Sequence, residues 1–345
     1  MRARAVRLGE IAVEQTFGAI VAADIRAAAG SVVWRKGKVL GPADTATFAA
    51  LDGVEAHLVD LDPGESGQDE VASRLARALG GSGTTADAPQ QGQARLRATF
   101  RGLLSVDGDA VRALNRLGPI LCFTRRDGQV VLAGDEVAGV KGAGLATADS
   151  AVAAAEAIAA AAGAVVRVLP FPPRGVSVLI TERLAAKARG LVAEAVRSKV
   201  AFYGSRVLDI AEAPYARAPI AAWLRTAVAS GAELLLLSGA NSLDPLDPVL
   251  LAIADAGGEI ARTGVPAHPG SMVWAGSIGP IPLLGIATCS GFGKSTSLDL
   301  LLARVLAGED PGAAVASLGH GGLLDGPGAE FSFPPYARAI ASREP

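Results

Sequence analysis

Between Gly175 and Ala307 the chain alternates short apolar runs with longer stretches of helical spacing, and this alternation limits the folds open to it. Val176 to Thr181 (VSVLIT), Ser205 to Ile210, Glu233 to Leu237 (ELLLL) and Ile281 to Ile286 read as strands. Ala185 to Tyr203, Ala218 to Ser230, Pro248 to Ala256 and Ser297 to Ala307 read as helices. Strands that are apolar at nearly every position need cover on both faces. The pattern therefore predicts a mostly parallel sheet with helices on both sides. In open sheets of this kind ligands bind beyond the carboxyl ends of the strands, so the strand-to-helix loops are the places to search for a site.

The chain has 345 residues, more than one simple core holds, which implies two or three domains. Residues 1–80 mix short strands with helices and form a first α+β module. Pro42-Ala43-Asp44 opens a helix to Leu51, Val54 to Leu61 follows as a strand, and Asp69 to Leu79 is a second helix. The small polar stretch Gly80 to Gln93, GGSGTTADAPQQGQ, marks a break, and residues 81–94 read as a linker. A middle α+β module is placed at 95–172. It has a helix over 95–117, a β-hairpin of Ile120 to Thr124 with Gln129 to Leu132, and an Ala-rich helix over 148–162. The α/β domain occupies 173–325 and a tail 326–345.

Half of the residues are hydrophobic and 19% are charged, with a net charge of -2. Such a balance argues against a nucleic-acid or anionic-membrane surface, so an anionic ligand must be held by local groups. Cys122 and Cys289 lie too far apart in sequence for a CxxC pair, and two cysteines make no disulfide framework. The opening MRARAVRLGE lacks the apolar stretch of a signal peptide. The Ala-rich run 151–168 contains Glu156, Gly163 and Arg167 and reads as a helix running into a strand. A cytoplasmic protein without a membrane span is expected.

The most informative loop is Ser238-Gly239-Ala240-Asn241-Ser242-Leu243-Asp244-Pro245-Leu246-Asp247-Pro248, directly after the ELLLL run. Gly239 and Ala240 let backbone approach a ligand closely, while Asn241, Ser242 and free N–H groups can hold phosphate or amide oxygens. Asp244 and Asp247 add carboxylates suited to a heterocyclic N–H edge or a metal-bound oxygen. Asp247 before Pro248 also makes an ordinary helix cap, and these residues alone leave both readings open. Gly291 to Thr296 (GFGKST) invites a P-loop reading, which would make the chain a nucleotide-binding enzyme. The pattern G-x-x-x-x-G-K-[ST] requires glycine at 288, where the chain has Thr288. Lys294 and the N–H groups of the following helix still offer a site for one phosphate. Lys187, Arg197, Lys199 and Arg206 read mainly as a solvated basic face.

In order, the chain carries Gly239, Ser242 and Asp247, then Ala256-Gly257-Gly258-Glu259, Gly264-Val265-Pro266 and His268-Pro269-Gly270. Ile281 to Ile286, Cys289 to Thr296 and the helix from Ser297 follow. This series resembles the molybdopterin-binding domain of molybdenum-cofactor biosynthesis proteins. It is most similar to the molybdopterin-binding module often fused to a molybdenum-cofactor nucleotidyltransferase. That resemblance extends toward the N-terminus through Arg35-Lys36-Gly37, Leu61-Asp62-Pro63-Gly64, Asp69-Glu70 and Leu114-Asn115. It implies a three-layer, doubly wound, mostly parallel α/β sheet preceded by smaller α+β modules. It also implies molybdopterin or its nucleotide form as ligand, molybdenum insertion or cofactor delivery as the role, and molybdate and Mg2+ as accompanying ions. A molybdoenzyme or a nucleotidyltransferase would be the partner, and the protein would be a homo-oligomer. The ligand contacts implied are Thr181, Ser238, Gly239, Ala240, Asn241, Ser242, Pro269, Gly270, Cys289, Ser290, Lys294 and Ser295. Asp247 and Asp244 are the implied catalytic residues.

Overall fold

The computed structural model describes residues 1–27, 30–240, 244–286, 296–319 and 322–324, with only the backbone at Leu323. The chain forms two compact units. One comprises Met1–Phe100, Leu104–Asp127 and Leu132–Val168, and the other Arg101–Leu103, Gly128–Val131 and the chain from Leu169 onward.

In the first unit, strands β1 (Arg2–Arg7), β2 (Ile20–Val21) and β3 (Glu55–Asp60) make an antiparallel sheet in the order β1-β3-β2. Leu8, Trp34, Phe48 and Leu58 belong to its core. A second antiparallel sheet consists of β4 (Thr84–Ala86), β5 (Gln93–Ala98), β6 (Ile120–Thr124) and β7 (Glu136–Gly142), in the order β6-β7-β5-β4. Three helices accompany it: α1 (Gln68–Leu79), α2 (Gly108–Arg116) and α3 (Asp149–Ala161). Helix α1 buries Val71, Ala72, Leu75, Ala76 and Leu79, a stripe at helical spacing. Arg74 on α1 forms a two-pronged pair with Glu156 on α3, at 3.0 and 2.9 Å. Asn115 on α2 donates to the Cys122 carbonyl at 2.9 Å and accepts from the Cys122 N–H at 2.8 Å.

Three expectations for this part are corrected. Residues 95–106 are not helical. Ala94, Leu96 and Ala98 are buried while Gln93, Arg95 and Arg97 are not, and this two-residue period suits a strand. The stretch expected as a linker carries β4, paired with β5 from Thr84↔Ala98 to Ala86↔Leu96. Ile120 to Thr124 pairs with β7 and not with the segment after Arg126, whereas Val130 and Val131 pair with Leu103 and Gly102.

In the second unit, β8 (Gly175–Ile180), α4 (Ala186–Phe202), β9 (Arg206–Glu212), α5 (Arg217–Ala229), β10 (Leu234–Ser238) and α6 (Pro248–Asp255) follow the predicted alternation. Next come β11 (Gly258–Thr263), β12 (Trp274–Ile278), β13 (Ile281–Ile286) and α7 (Ser297–Leu306). The sheet order is β9-β8-β10-β13-β12-β11. Strands β9, β8, β10 and β13 are mutually parallel, and β12 pairs antiparallel with both β13 and β11. The sheet is therefore mixed: three neighbouring pairs are parallel, as expected, and the two pairs that β12 makes are antiparallel. The two-residue turn Gly279-Pro280 joins β12 to β13 with Ile278 opposite Ile281. A connection that short can only return the chain antiparallel.

The strand side chains divide between two cores. Val176, Val178, Ile180, Leu234, Leu236, Leu284 and Ile286 belong to one, with Val192, Val196 and Val200 of α4 and much of α7. Leu179, Leu235, Leu237 and Leu283 belong to the other, with Ile220 and Leu224 of α5 and Val249 and Ile253 of α6. Each wholly buried strand thus supplies both layers of helices. Lys199, expected on a solvated face, is 5% exposed and pairs with the fully buried Asp299 at 2.8 Å. The other oxygen of Asp299 accepts from the Thr296 N–H at 2.9 Å, and Thr296 caps the start of α7. One carboxylate thus links α4 to the first turn of α7.

Removing one member of a buried ion pair strands the other charge, at a cost of about 3–5 kcal/mol. Lys199→Met and Asp299→Asn are each expected to lower urea-unfolding stability by about this amount; a loss within the error of the measurement would show that the pair is not a linchpin. The Arg74 hydrogen bonds hold the Glu156 carboxyl below the usual carboxylate range, against desolvation that would raise it. A depressed folded value stabilises above the unfolded pKa, and this stability is lost as pH falls through the folded value. Arg74→Gln is expected to lower the thermal midpoint at neutral pH, and the gap from wild type should close below about pH 4. A gap independent of pH would overturn the ionic account.

Candidate active site

Strands β8 and β10 end side by side, and their last residues are polar. Thr181, 6% exposed, donates its hydroxyl to the Ser238 carbonyl at 2.7 Å, and its N–H reaches the Ser238 hydroxyl at 3.3 Å. Ser238 is fully buried and donates from Oγ to Oε2 of Glu182. Gly239 follows with φ at +95°, where residues with a side chain are strained. A Cβ added there would stand 1.9 Å from Thr181 Oγ1 and 3.4 Å from Glu182 Oε1. Glycine is thus required by both backbone angle and contact. Ala240 is half-buried against the core of α5 and α6.

Asp247 starts α6 and is 1% exposed. Its Oδ1 accepts from the Val249 N–H at 2.8 Å, and its Oδ2 accepts from the Tyr215 hydroxyl. The helix-cap reading describes this aspartate, with Pro248 in the first turn. Asp244 is exposed; its carboxylate accepts from the Leu246 N–H at 2.9 Å and its carbonyl from the Asp247 N–H at 3.0 Å. The two aspartates therefore build the turn into α6.

A cavity of about 590 Å3 opens beyond the ends of β8 and β9. Thr181, Glu182, Arg183, Arg189, Glu212 and Tyr215 are among the residues that line it. Arg189 pairs with Glu212 and also donates to the Leu184 carbonyl at 3.2 Å. Oε1 of Glu182 is shut off from solvent and has no hydrogen-bond partner among the described residues. Tyr215 is 42% exposed although its hydroxyl is anchored on buried Asp247.

Pro269 and Gly270 stand against the start of α7. The Pro269 carbonyl accepts from the Ser297 N–H at 3.0 Å, and the Gly270 carbonyl from the Ser297 hydroxyl at 2.7 Å. A Cβ on Gly270, whose φ is +101°, would lie 2.4 Å from that hydroxyl. Asn241, Ser242, Cys289, Ser290, Lys294 and Ser295 lie outside the described residues. The structure thus brings together Thr181, Ser238 and Gly239, joins Asp247 to the cavity wall through Tyr215, and sets Pro269 and Gly270 at the end of another loop. Glu182 stands next to the expected contact Thr181, whereas Tyr215 has only a positional signal, in the loop that follows β9.

Among the described residues no group of three or more histidine, cysteine, aspartate and glutamate side chains is placed to hold a metal ion. None of the described helices is long and apolar enough to cross a membrane. Cys122 is buried, and desolvation pushes its thiol pKa up to about 11, so it is a poor nucleophile.

No family model and no curated protein matches the chain. Among solved structures it is similar to the molybdopterin biosynthesis moea protein from Pyrococcus horikosii, with 14% identity and a TM-score of 0.30. That similarity covers 92% of this chain and 76% of the other. A second similarity, to an anomalous substructure of MogA, has 16% identity and a TM-score of 0.26, over 38% of this chain and 92% of that one. Superpositions this loose assign no residue a role.

Gly239→Ala is expected to cost about 1–3 kcal/mol in denaturant unfolding, because a positive φ and a clash with Thr181 coincide. Adding Thr181→Ala should recover the steric part and leave the backbone part. An unperturbed Gly239→Ala protein would show that the loop relaxes freely.

Proposed function

We propose that this chain binds molybdopterin or its nucleotide form and serves in molybdenum-cofactor biosynthesis, as a cofactor-binding and delivery protein. The ligand sits at the carboxyl ends of β8, β9 and β10, with Thr181, Gly239 and Ala240 approaching it on one side and buried Ser238 holding Thr181 from behind. The sequence motifs add Asn241, Ser242, Cys289, Ser290, Lys294 and Ser295 as further contacts, with Lys294 for the terminal phosphate. What carries the reading is the open cavity beyond the ends of β8 and β9, with Thr181, Glu182, Arg183 and Tyr215 in its wall. The cavity volume falls in the range of small-molecule sites, about 300–1,000 Å3. The ordered loop motifs of the sequence supply the identity of the ligand.

Delivery is favoured over molybdenum insertion by the state of Asp247. Its two oxygens accept from the α6 backbone and from Tyr215, and the residue is buried. A carboxylate so engaged supports the loop better than it activates water or orients a metal-bound oxygen. Insertion is the second reading, with exposed Asp244 as the acid group near the dithiolene and molybdate as substrate.

Anaerobic titration of the full chain with molybdopterin, followed by fluorescence, is expected to give a dissociation constant of about 1 μM or tighter. Lys294→Ala should weaken binding by about tenfold, the worth of one hydrogen bond to a charged group. Asp247→Asn should leave binding nearly unchanged. Absence of saturable binding would remove the proposal, and molybdate-dependent turnover abolished by Asp244→Asn would replace delivery with insertion.

A further inference from the structure

We infer that the outer face of α4 is a docking surface for an acidic amphipathic helix of a second protein. Val192, Val196, Lys199 and Val200 turn one side of α4 into the core. The other side carries Lys187, Gly190, Leu191, Glu194 and Arg197, all exposed. Leu191 is 58% exposed, and a lone surface leucine would be ordinary. Gly190 beside it is not. Its φ is not positive, and an added Cβ would meet nothing within 4 Å. Glycine inside a helix destabilises it relative to alanine, and no contact among the described residues requires one here. Bare backbone at that point lets another helix come close, with Leu191 as its apolar contact.

Charge selects the partner. Arg183, Lys187 and Arg197 are exposed and have no hydrogen bond or ion pair among the described residues. Glu194 is the only acidic side chain of α4, and Arg189 is already paired with Glu212. The whole chain has a net charge of -2, so this excess of cations is local. Opposite potentials steer two surfaces together, and like charges across an interface are costly. The surface therefore favours an acidic partner. A purely ionic partner would have no use for Leu191 and the bare backbone beside it, whereas a helix with an apolar stripe uses both. Arg183, Leu184 and Arg189 also line the cavity beyond β8 and β9, so a partner seated on α4 stands beside it. That this partner is the acceptor of the ligand rests on the delivery reading; the surface itself does not.

The probe is a synthetic amphipathic helix as long as α4, with leucines along one side and glutamates flanking them. Titrated against the full chain by fluorescence anisotropy, it is expected to bind with a dissociation constant of about 100 μM or tighter. Binding should weaken as ionic strength rises. The same peptide with lysine in place of glutamate should not bind. Lys187→Glu combined with Arg197→Glu, and Leu191→Ala alone, should each weaken binding by about fivefold or more. Gly190→Gln separates docking from folding. Glutamine is the better helix former, so the thermal midpoint should rise while affinity for the peptide falls. Gly190 and Leu191 do not line the cavity, so molybdopterin binding should be unchanged in both variants. Failure of the acidic peptide to bind, equal binding of the lysine peptide, or undiminished binding by Leu191→Ala and Gly190→Gln overturns the docking surface. Binding of phosphatidylserine vesicles in place of the peptide, or a concentration-dependent dimer dissolved by Leu191→Ala, would name a different occupant and overturn it as well. If the peptide binds as expected and molybdopterin does not, the docking surface stands and the molybdopterin reading falls. If molybdopterin binds and the peptide does not, the proposed function stands and this inference falls.

Discussion

Burial of β8, β10 and β13 on both faces is the constraint on which the second unit depends. Val178 and Leu179 are neighbours in sequence and belong to different cores, as do Leu236 and Leu237. Such strands have no solvent face on which to carry polar chemistry. Their polar groups gather where the sheet ends, at Thr181 and Ser238, and bond to one another there. The same constraint makes the helices obligatory, because removing either layer would leave a sheet of leucine and valine facing water. The buried pair of Lys199 with Asp299 fits this setting, since a charge between packed helices persists only when its partner is fixed beside it.

The sequence made much of the second unit legible. VSVLIT, ELLLL and IPLLGI are apolar at most positions, and the helices between them are long enough to leave no rival assignment. What escaped was the antiparallel pair. Trp274–Ile278 reads WAGSI, short and broken by glycine and serine, with no run of β-branched residues. Its glycine has a packing reason that no local pattern carries, because a Cβ on Gly276 would lie 2.1 Å from the Glu259 carbonyl oxygen of the adjacent strand. In the first unit, RLR within β5 alternated arginine with leucine and was read at helical period. Burial of Ala94, Leu96 and Ala98 in one line is a tertiary fact that the short segment does not announce.

The site was legible in part for a related reason. Gly239 announced itself, since glycine after a buried strand implies bare backbone. The cap of Asp247 was legible too, through Pro248. The link from Asp247 to Tyr215, 32 residues earlier, was not. It arises because β9 and β10 lie on either side of β8 and end at the same edge of the sheet, so loops remote in sequence become neighbours. One aspartate thereby closes a helix and steadies a wall of the cavity, so the stiffness of the pocket and the start of α6 share an origin.

Asn115 has an influence that reaches outside the single molecule. Strand β6 is the border of its sheet, and a border strand offers unpaired N–H and carbonyl groups to any other extended chain. The Asn115 amide occupies both groups of Cys122, the middle residue of that strand, in the manner of one more strand residue. Leu121 and Phe123 on either side are 38% and 44% exposed, the apolar character that would reward stacking of a second molecule. A single side chain thus closes this rim of the first unit at its middle residue, where an extended strand of a second molecule would otherwise find both groups open.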